Sequence, residues 1–274
     1  MQHLRFIAMG IVAILASAAG HAATYSIPDH DSQALVDALR AAGRSHESDR
    51  IELAPHGLYV LKEPADAARR LGLPLVSGAV TIIGNGSEIR RYSDSEFAIV
   101  GVGHTGKLAL ENLAIAEGAR GAIINRGILH LDRVRVTDST ADGANAIVVN
   151  YGTLRAADSE ISHNSVLAAQ RDAGIVLNYG RMDLLRSRMA GNTVTGRRSS
   201  VLTASALLNL GDLSLREVTI EGNSARSEPD DLSHAHSVVN VGNGNLQSVD
   251  VRLVDNLPED TNALPTQDPD SILP

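Results

Sequence analysis

Apolar and polar residues alternate along most of this chain, and the alternation returns in copies of 25 to 31 residues. Each copy opens on an Asn-x-Gly triplet, whose asparagine is numbered as position zero. Clear copies begin at Asn125, Asn150, Asn178, Asn209 and Asn240, and a weaker copy begins at His104. Self-similarity at such a period is typical of stacked structural repeats. The pattern therefore predicts a solenoid.

Within a copy, the apolar positions are more constant than the length of the copy. Mostly apolar residues stand at positions four, six, nine and eleven, which in the copy at Asn209 are Leu213, Leu215, Val218 and Ile220. In the copy at Asn240 the same numbering selects Gly244, Leu246, Val249 and Val251. Both pairs have the period of two that is typical of strands. Each copy predicts three strands separated by a turn and a bend, followed by a loop of variable length.

The triplet itself predicts a structural role. Asparagine tolerates the left-handed backbone region at a bend, and asparagine amides stacked in successive copies can bond to one another. The glycine at position two admits a positive φ where a Cβ would clash. The predicted ladder comprises Asn125, Asn150, Asn178, Asn209, Asn240, Gly127, Gly152, Gly180, Gly211 and Gly242. A leucine-rich repeat is the main alternative, because Leu210, Leu213 and Leu215 fit part of its spacing.

The repeat resembles that of exported parallel β-helix proteins of the pectin-lyase-like superfamily, in particular the bacterial group with repeats of the polymorphic outer-membrane-protein type. The stretches ALVDALRAAG, DRIELAPHGLYVL and VTIIGNGSEI are similar to the N-terminal part of these proteins. The resemblance implies an all-β fold: a right-handed single-stranded parallel β-helix with a short N-terminal capping helix. It implies little about activity, because the shared residues build the coil.

The N-terminus predicts export. Arg5 precedes an apolar run that ends in small residues, and a cut is expected near Ala22 or Ala23. We therefore interpret residues 1–23 as a signal peptide and expect a periplasmic or extracellular protein with no membrane span after cleavage. The coil is expected over residues 24–256.

Three further segments are predicted around the coil. Its N-terminal cap covers about residues 24–78 and contains a helix that begins at Asp31 or Ser32 and ends at Gly43. The apolar stripe of that helix comprises Leu35, Ala38, Leu39 and Ala42. The insertion from Lys62 to Ser77 is expected to form a short helix and a loop. Residues 257–274 are expected to form a disordered or draped tail.

Composition narrows the functional classes. The chain has no cysteine, which excludes disulfides, thiolate metal sites and a cysteine nucleophile. A formal net charge of -8 with scattered arginines argues against nucleic acid as a partner. Aromatic residues make up only 3% of the chain, too few for a broad aromatic platform. The expected partner is instead a polysaccharide or a cell-surface molecule.

Two opposed functions remain at this point. The favoured prediction is a non-catalytic scaffold that binds at the surface or in the periplasm, because the recurring residues all serve the coil and no cofactor is indicated. The alternative is a polysaccharide lyase or glycoside hydrolase, which would need clustered carboxylates and a base. Its candidate residues stand in the variable loops and are Asp172, Arg171, Arg197, Asp230 and Asp231. Only this alternative would call for Ca²⁺.

Two further motifs have structural explanations. His234 and His236 alternate in one loop and could ligate a metal from one side, although a solvated polar loop explains them as well. The run GVGHTGK at residues 101–107 fits most of a phosphate-binding loop, but Leu108 stands where Ser or Thr is required.

Tyr151 and Tyr179 share position one of neighbouring copies. If the asparagine points inward, these tyrosines point outward, together with the apolar residues at the position before the asparagine. The pattern predicts a partly exposed apolar and aromatic strip that stacks a sugar, docks a partner or is covered by other parts of the chain.

Overall fold

The computed structural model describes residues 22–45, 47–143, 146–168, 173–196, 203–227, 235–241 and 244–257. Most of the predicted signal peptide (1–21) and nearly all of the predicted tail (258–274) lie outside these residues. Both remain predictions. Among the described residues, no helix is long and apolar enough to cross a membrane.

The described residues form one helix and 24 strands. The helix is α1 (Ser32–Ala42). The strands are β1 (Thr24–Ile27), β2 (Ser48–Leu53), β3 (Leu58–Leu61), β4 (Ala79–Arg91), β5 (Val100–Val102), β6 (Lys107–Ala116), β7 (Ile123–Asn125), β8 (Ile128–Thr137), β9 (Thr140–Gly143), β10 (Val148–Asn150), β11 (Thr153–Ala157), β12 (Glu160–Ser162), β13 (Ser165–Ala168), β14 (Ala173–Asn178), β15 (Arg181–Leu185), β16 (Arg188–Ala190), β17 (Thr193–Gly196), β18 (Thr203–Asn209), β19 (Asp212–Arg216), β20 (Thr219–Glu221), β21 (Ser224–Ser227), β22 (Ala235–Asn240), β23 (Asn245–Val249) and β24 (Arg252–Val254).

These strands build a parallel β-solenoid of about 7 turns with three sheets. The first sheet follows the order β1-β2-β4-β6-β8-β11-β15-β19-β23, with β3, β12, β16, β20 and β24 paired alongside. The second sheet has the order β22-β18-β14-β10-β7-β5, and the third has the order β21-β17-β13-β9. The fold prediction is confirmed: the protein is mostly β, with one short helix near its N-terminus and stacked parallel strands.

The repeat register is confirmed in the central copies. Asn125, Asn150, Asn178, Asn209 and Asn240 pair successively in the second sheet. Residues at positions four, six, nine and eleven are buried in the core of these copies, as Leu213, Leu215, Val218 and Ile220 are. A further inward position follows at sixteen, and it is occupied by Ala141, Val166, Val194 and Ala225. Alternation therefore identified the side of each strand that faces the core.

The register fails by two residues in the first and the last copy. Val102, not His104, pairs with Asn125, and His104 is exposed in a turn before Gly106. In the last copy Asn245 pairs with Asp212, so the inward residues are Leu246, Ser248, Val251 and Leu253. The prediction that the core-facing residues of the last copy are Gly244, Leu246, Val249 and Val251 is therefore wrong. Both shifts arise because two extra residues are accommodated in the turn after position zero.

Apart from the two extra residues in the first and last copies, the copies differ in length at one place. Four successive copies contain a fourth strand where the sequence predicted only a loop, and it spans positions fifteen to eighteen, as β9, β13, β17 and β21. The differences among the steps of 25, 28, 31 and 31 residues therefore all fall between this strand and the next position zero. Among the central copies, length variation is confined to one corner of the coil.

Helix α1 closes the N-terminal end of the coil. Leu35, Ala38, Leu39 and Ala42 are buried against the core, as predicted. Asp31 is the N-cap residue, and its carboxylate accepts a hydrogen bond from the Ala34 N–H at 2.9 Å. The helix ends at Ala42, and Gly43 follows it with a φ of -67°. The predicted cap helix is thus confirmed, with Asp31 rather than Ser32 as its N-cap.

Asp31→Ala is expected to lower the free energy of unfolding by about 1 kcal/mol, because it removes the acceptor for an otherwise unpaired helix N–H. Chemical denaturation of the two chains, followed by circular dichroism, measures the difference. Asp37→Ala, an exposed site on the same helix, is the control and is expected to change stability by less than about 0.5 kcal/mol. Equal losses for the two variants would contradict the capping role.

The insertion between β3 and β4 was predicted to contain a short helix, and this prediction is wrong. The chain instead makes a turn at residues 67–70, closed by an isolated bridge between Asp66 and Leu71. The Leu71 and Gly72 amides bond to backbone carbonyl oxygens, of Asp66 and Ala98 respectively. These backbone bonds satisfy polar groups that a helix would otherwise pair internally.

Candidate functional site

The predicted asparagine ladder exists and runs through the interior of the coil. Each amide nitrogen donates to the amide oxygen of the next copy, from Asn125 to Asn150 at 2.7 Å, Asn150 to Asn178 at 2.8 Å, and Asn178 to Asn209 at 2.7 Å. A fourth bond of 2.6 Å leads from Asn209 to Asn240. Asn125, Asn150, Asn178 and Asn209 are fully buried. The side chains of these asparagines therefore have a structural role.

The role of the ladder glycines differs from the prediction. None of Gly127, Gly152, Gly180 and Gly211 has a positive φ. A Cβ on Gly152 or on Gly180 would lie 2.1 Å from the carbonyl oxygen of the glycine one turn earlier. Glycine is therefore required by close stacking of backbones, as the expected Cβ clash implied, and not by a left-handed conformation. Gly242 lies outside the described residues.

Left-handed backbone occurs at position eight and also at position thirteen, where Asp138, His163, Gly191 and Gly222 stand. At position eight, Arg133, Asp158, Arg186 and Glu217 have φ values of 53°, 52°, 46° and 54°. They form the bend between the strands at positions three to seven and those at positions ten to twelve. The sequence predicted a bend here but not its left-handed conformation, because Arg and Glu are uncommon at positive φ.

A second asparagine ladder was also missed. Asn164, Asn192, Asn223 and Asn256 are buried. They are linked by amide–amide bonds of 3.0, 2.8 and 3.0 Å. Asn164, Asn192 and Asn223 stand fourteen residues after the first asparagine of their copies, so the signal was present in the sequence. Asn256 stands two residues later because of the insertion in the last copy.

The residues predicted for catalysis cannot be assembled into a site. Asp172, Arg171, Arg197, Asp230 and Asp231 all lie outside the described residues, so the enzymatic alternative remains a prediction. His234 lies outside them as well, whereas His236 is half-buried in β22 opposite Ala204. No three His, Asp or Glu side chains within the described part of the chain lie close enough together to hold a metal ion.

The GVGHTGK segment does not form a phosphate-binding loop. Gly101 and Val102 belong to β5, and Lys107 begins β6. A phosphate-binding loop would lead into the N-terminus of a helix, whose N–H groups would face the ligand. A strand follows here instead.

The outer face of the first sheet carries an open groove. Its widest part has a volume of about 670 Å³ and is lined by β8, β11, β15, β19 and β23. The centre of the groove is a column at position five, formed by His130, Arg155, Asp183, Ser214 and Gln247. A second section of about 440 Å³ shares His130 and Arg155 and continues to Lys107 and Thr81. Together the sections cross eight strands, from β2 to β23, a length of roughly 34 Å at parallel-strand spacing.

Positive charge predominates in this groove. The lining contains the cations Lys107, Arg155, Arg181 and Arg216 and the carboxylates Asp132 and Asp183. Four cations against two carboxylates leave an excess of two positive charges, on a chain whose formal net charge is -8. The groove therefore has the opposite sign to the protein as a whole.

Pairing within the groove leaves two cations available. Asp183 lies between Arg155 and Arg181, with N–O distances of 3.4 and 3.5 Å. Asp132 pairs with Arg133 at 2.8 Å. Across the described part of the chain, neither Lys107 nor Arg216 forms an ion pair. These two side chains can meet an anionic ligand without first giving up a protein partner.

An ion pair joins neighbouring turns at the position-eight bend, next to the groove-lining residues Ala157 and Leu185. Arg186 donates to both carboxylate oxygens of Asp158 at 2.8 Å. The hydrogen bonds from this guanidinium hold the pKa of Asp158 below its usual range. Two parallel bonds of this kind fix orientation as well as distance.

Because its pKa is depressed in the folded chain, Asp158 contributes stability at neutral pH, and this contribution is lost as the pH falls through the folded-state pKa. Arg186→Gln is expected to return the Asp158 pKa toward the ordinary aspartate range. Carboxyl-detected NMR titration of both chains measures this change directly. The same Asp158 pKa in both chains would show that the guanidinium is not the cause.

The comparisons with known proteins identify no relative. The chain matches no protein-family model, no curated protein and no solved structure. The site must therefore be interpreted from its own geometry.

The side chains of Tyr151 and Tyr179 point out of the coil, as predicted, and Tyr151 has no free face for stacking a sugar. Tyr151 and Tyr179 are stacked with ring centroids 5.0 Å apart and planes 9° apart. The Arg126 guanidinium covers the other face of Tyr151 at 5.0 Å. Sugars bind to aromatic faces, and both faces of Tyr151 are occupied. The stack therefore supports the coil.

The apolar residues before the asparagines are not exposed. Val149, Leu177, Leu208 and Val239 are buried in a second, outer cluster together with Ala146 and Ala204. Only the tyrosines and Leu210, at 48%, 44% and 37% exposure, remain accessible along this strip. The expected continuous apolar strip is therefore limited to position one.

Proposed function

We propose that the protein is an exported, non-catalytic β-helix scaffold that binds an extended anionic polymer, such as an acidic polysaccharide, along the groove of the first sheet. We place it in the periplasm or at the cell surface. The observation that supports this proposal is the excess of positive charge in a groove that crosses eight strands of an otherwise acidic protein.

The shape of the groove favours a polymer over a compact ligand. Its lining repeats at the spacing of the strands, so similar contacts recur along one direction. Guanidinium groups bind carboxylates and sulfates through paired hydrogen bonds. Each exposed contact contributes little by itself. Several contacts on one chain add together, because the later contacts form within an already bound ligand.

The rigidity of the strands supports binding without chemistry. The groove side chains project from sheet strands that two internal asparagine ladders hold in register. A preorganised surface loses little conformational entropy when a ligand binds. The carboxylates in the groove are ion-paired with arginines, as Asp183 is with Arg155 and Arg181. They serve to orient the cations.

The test is a titration of the mature chain with polygalacturonate, with neutral dextran as the matched polymer. We expect binding of polygalacturonate that weakens as salt increases, and no binding of dextran. Lys107→Gln together with Arg216→Gln removes the whole charge excess and is expected to weaken binding about tenfold. Arg40→Gln together with Arg126→Gln changes the net charge equally outside the groove and is expected to leave the affinity within about twofold.

Equal losses in the two double variants would contradict the groove as the site. The same reaction mixtures are analysed for new reducing ends and unsaturated products. Their appearance would overturn the non-catalytic proposal in favour of the lyase or hydrolase. Asp172→Asn, Asp230→Asn and Asp231→Asn would then locate the chemistry.

A further inference from the structure

Asp49 is a buried carboxylate near the start of the coil. It lies in β2 with 1% of its surface exposed, and it is the only charged side chain that is buried in the described part of the chain. One carboxylate oxygen accepts a hydrogen bond from the Ala23 N–H at 2.8 Å, and the other accepts one from the Ser45 hydroxyl at 2.6 Å. No Lys, Arg or His among the described residues forms an ion pair with it. Two neutral donors hold a buried negative charge.

This arrangement is costly as it stands. Burial of a carboxylate without a cation removes its hydration, and neutral hydrogen bonds replace that hydration only in part. Buried aspartates are accordingly almost always paired. The burial of Asp49 therefore indicates a cation, and of its two donors only the Ala23 nitrogen can become one.

The sequence places a cleavage site next to that nitrogen. Gly20 and Ala22 put small residues at the first and third positions before the Ala22–Ala23 bond. This small-x-small pattern is the one that signal peptidases cut. A cut one residue later would place His21 at the third position and would remove Ala23. The Ala23 carbonyl oxygen accepts a hydrogen bond from the Arg50 N–H at 2.8 Å, so the fold uses this residue.

We propose that export ends with hydrolysis of the Ala22–Ala23 bond and that the new α-ammonium group of Ala23 forms an ion pair with the buried Asp49 carboxylate. Water supplies a hydroxyl to the Ala22 carbonyl carbon, and the Ala23 nitrogen takes a proton as the amide bond breaks. The α-amino group takes up a second proton from solvent, since its ordinary pKa is about 7.7 to 8.0. The neutral N–H donor of the precursor thus becomes a cation at the same position.

The inference rests on the proposed export, and it adds a structural purpose to the cleavage. The ion pair ties the first residue of the mature chain to β2, directly beside the pairing of Thr24 with Arg50. Cleavage therefore completes the N-terminal edge of the first sheet. The precursor lacks this contribution until it has been processed.

The decisive experiment compares residues 23–274 carrying a free N-terminus with the same chain acetylated at Ala23. The acetylated chain keeps an N–H donor toward Asp49, as in the precursor, so the comparison isolates the charge. We expect the unfolding equilibrium constant of the acetylated chain to be about tenfold to a hundredfold larger at pH 6. In the Asp49→Asn background acetylation is expected to have no effect, whereas in Asp37→Asn, an exposed control on α1, its full effect should persist.

Equal unfolding constants for the free and acetylated chains would overturn the ion pair. Mass spectrometry of the chain recovered from producing cells tests the cleavage separately. A mature chain that begins at Ala23 is the expected result, and one that begins at Thr24 would contradict the proposed site. A chain that keeps residues 1–22 would instead refute export, and the comparison of purified chains would still decide whether the ion pair forms.

Discussion

Gly180→Ala is expected to lower the free energy of unfolding by about 3 kcal/mol. The added methyl group would lie 2.1 Å from the Gly152 carbonyl oxygen and 2.8 Å from the Tyr151 carbonyl carbon. Both atoms belong to the backbone of the preceding turn, which cannot rotate away as a side chain could. The two turns must separate locally, which weakens the ladder bonds on either side. Thermal and denaturant unfolding, followed by circular dichroism, measure the effect.

Gly43→Ala is the matched control. Gly43 has a φ of -67°, and the nearest atom to an added Cβ is 3.4 Å away. Alanine at such a position restricts the unfolded chain without a clash, so stability should rise by about 0.4 to 1 kcal/mol. Similar losses at both glycines would show that backbone stacking does not explain the repeated glycine.

Asn178→Ala is expected to cost about 2 to 4 kcal/mol. Asn178 is fully buried in the middle of the first ladder. Its amide accepts from Asn150 and donates to Asn209 and to the Asp212 carbonyl oxygen. Alanine would leave the Asp212 carbonyl oxygen without this donor and interrupt the ladder in both directions. A lower midpoint of denaturant unfolding is the expected observation.

Arg181→Ala serves as the control for the ladder, because its side chain is largely exposed and only three residues away. We expect the free energy of unfolding to change by less than about 0.5 kcal/mol.

Asn178→Asp separates the effect of charge from that of shape, since it keeps the size of the side chain but replaces the donor with a buried carboxylate. It should destabilise at least as much as alanine at neutral pH. Wild-type stability in either Asn178 variant would exclude the ladder as a source of stability.

The repeat made most of the fold predictable. Asparagine recurs at positions 150, 178 and 209 because each side-chain amide forms a hydrogen bond with the equivalent amide of the next turn. This requirement is the same in every turn, so it produces a strict sequence pattern. The alternation at Leu213 and Leu215 identified the core-facing side for the same reason. The second ladder, at Asn192 and its equivalents, could have been found by the same argument.

The register at the two ends of the coil was less predictable, because sequence similar to the Asn-x-Gly triplet occurs there at positions that do not pair as the triplet does. His104-Thr105-Gly106 and Val241-Gly242 imitate the triplet, whereas the sheet aligns Val102 with Asn125 and Asn245 with Asp212. Two extra residues in a turn cost little conformational free energy. The core then continues in register, although the spacing along the chain has changed.

The candidate groove left no pattern in the sequence. Its central column contains His130, Arg155, Asp183, Ser214 and Gln247, which share no chemical type. An outward residue need not match its neighbours, so position five varies freely. Only the stacking of the strands brings Lys107 and Arg216 into one groove, although 109 residues separate them in the chain. A binding surface of this kind becomes visible once the fold is known.

The confinement of length differences among the central copies to one corner gives the protein a natural site for carrying additional sequence. A foreign peptide inserted between Gly196 and Thr203 would leave the flanking strands β17 and β18 with their present partners. The same corner recurs on successive turns, so several peptides could be displayed in a row at strand spacing. The coil would then present the inserted peptides at fixed distances from one another.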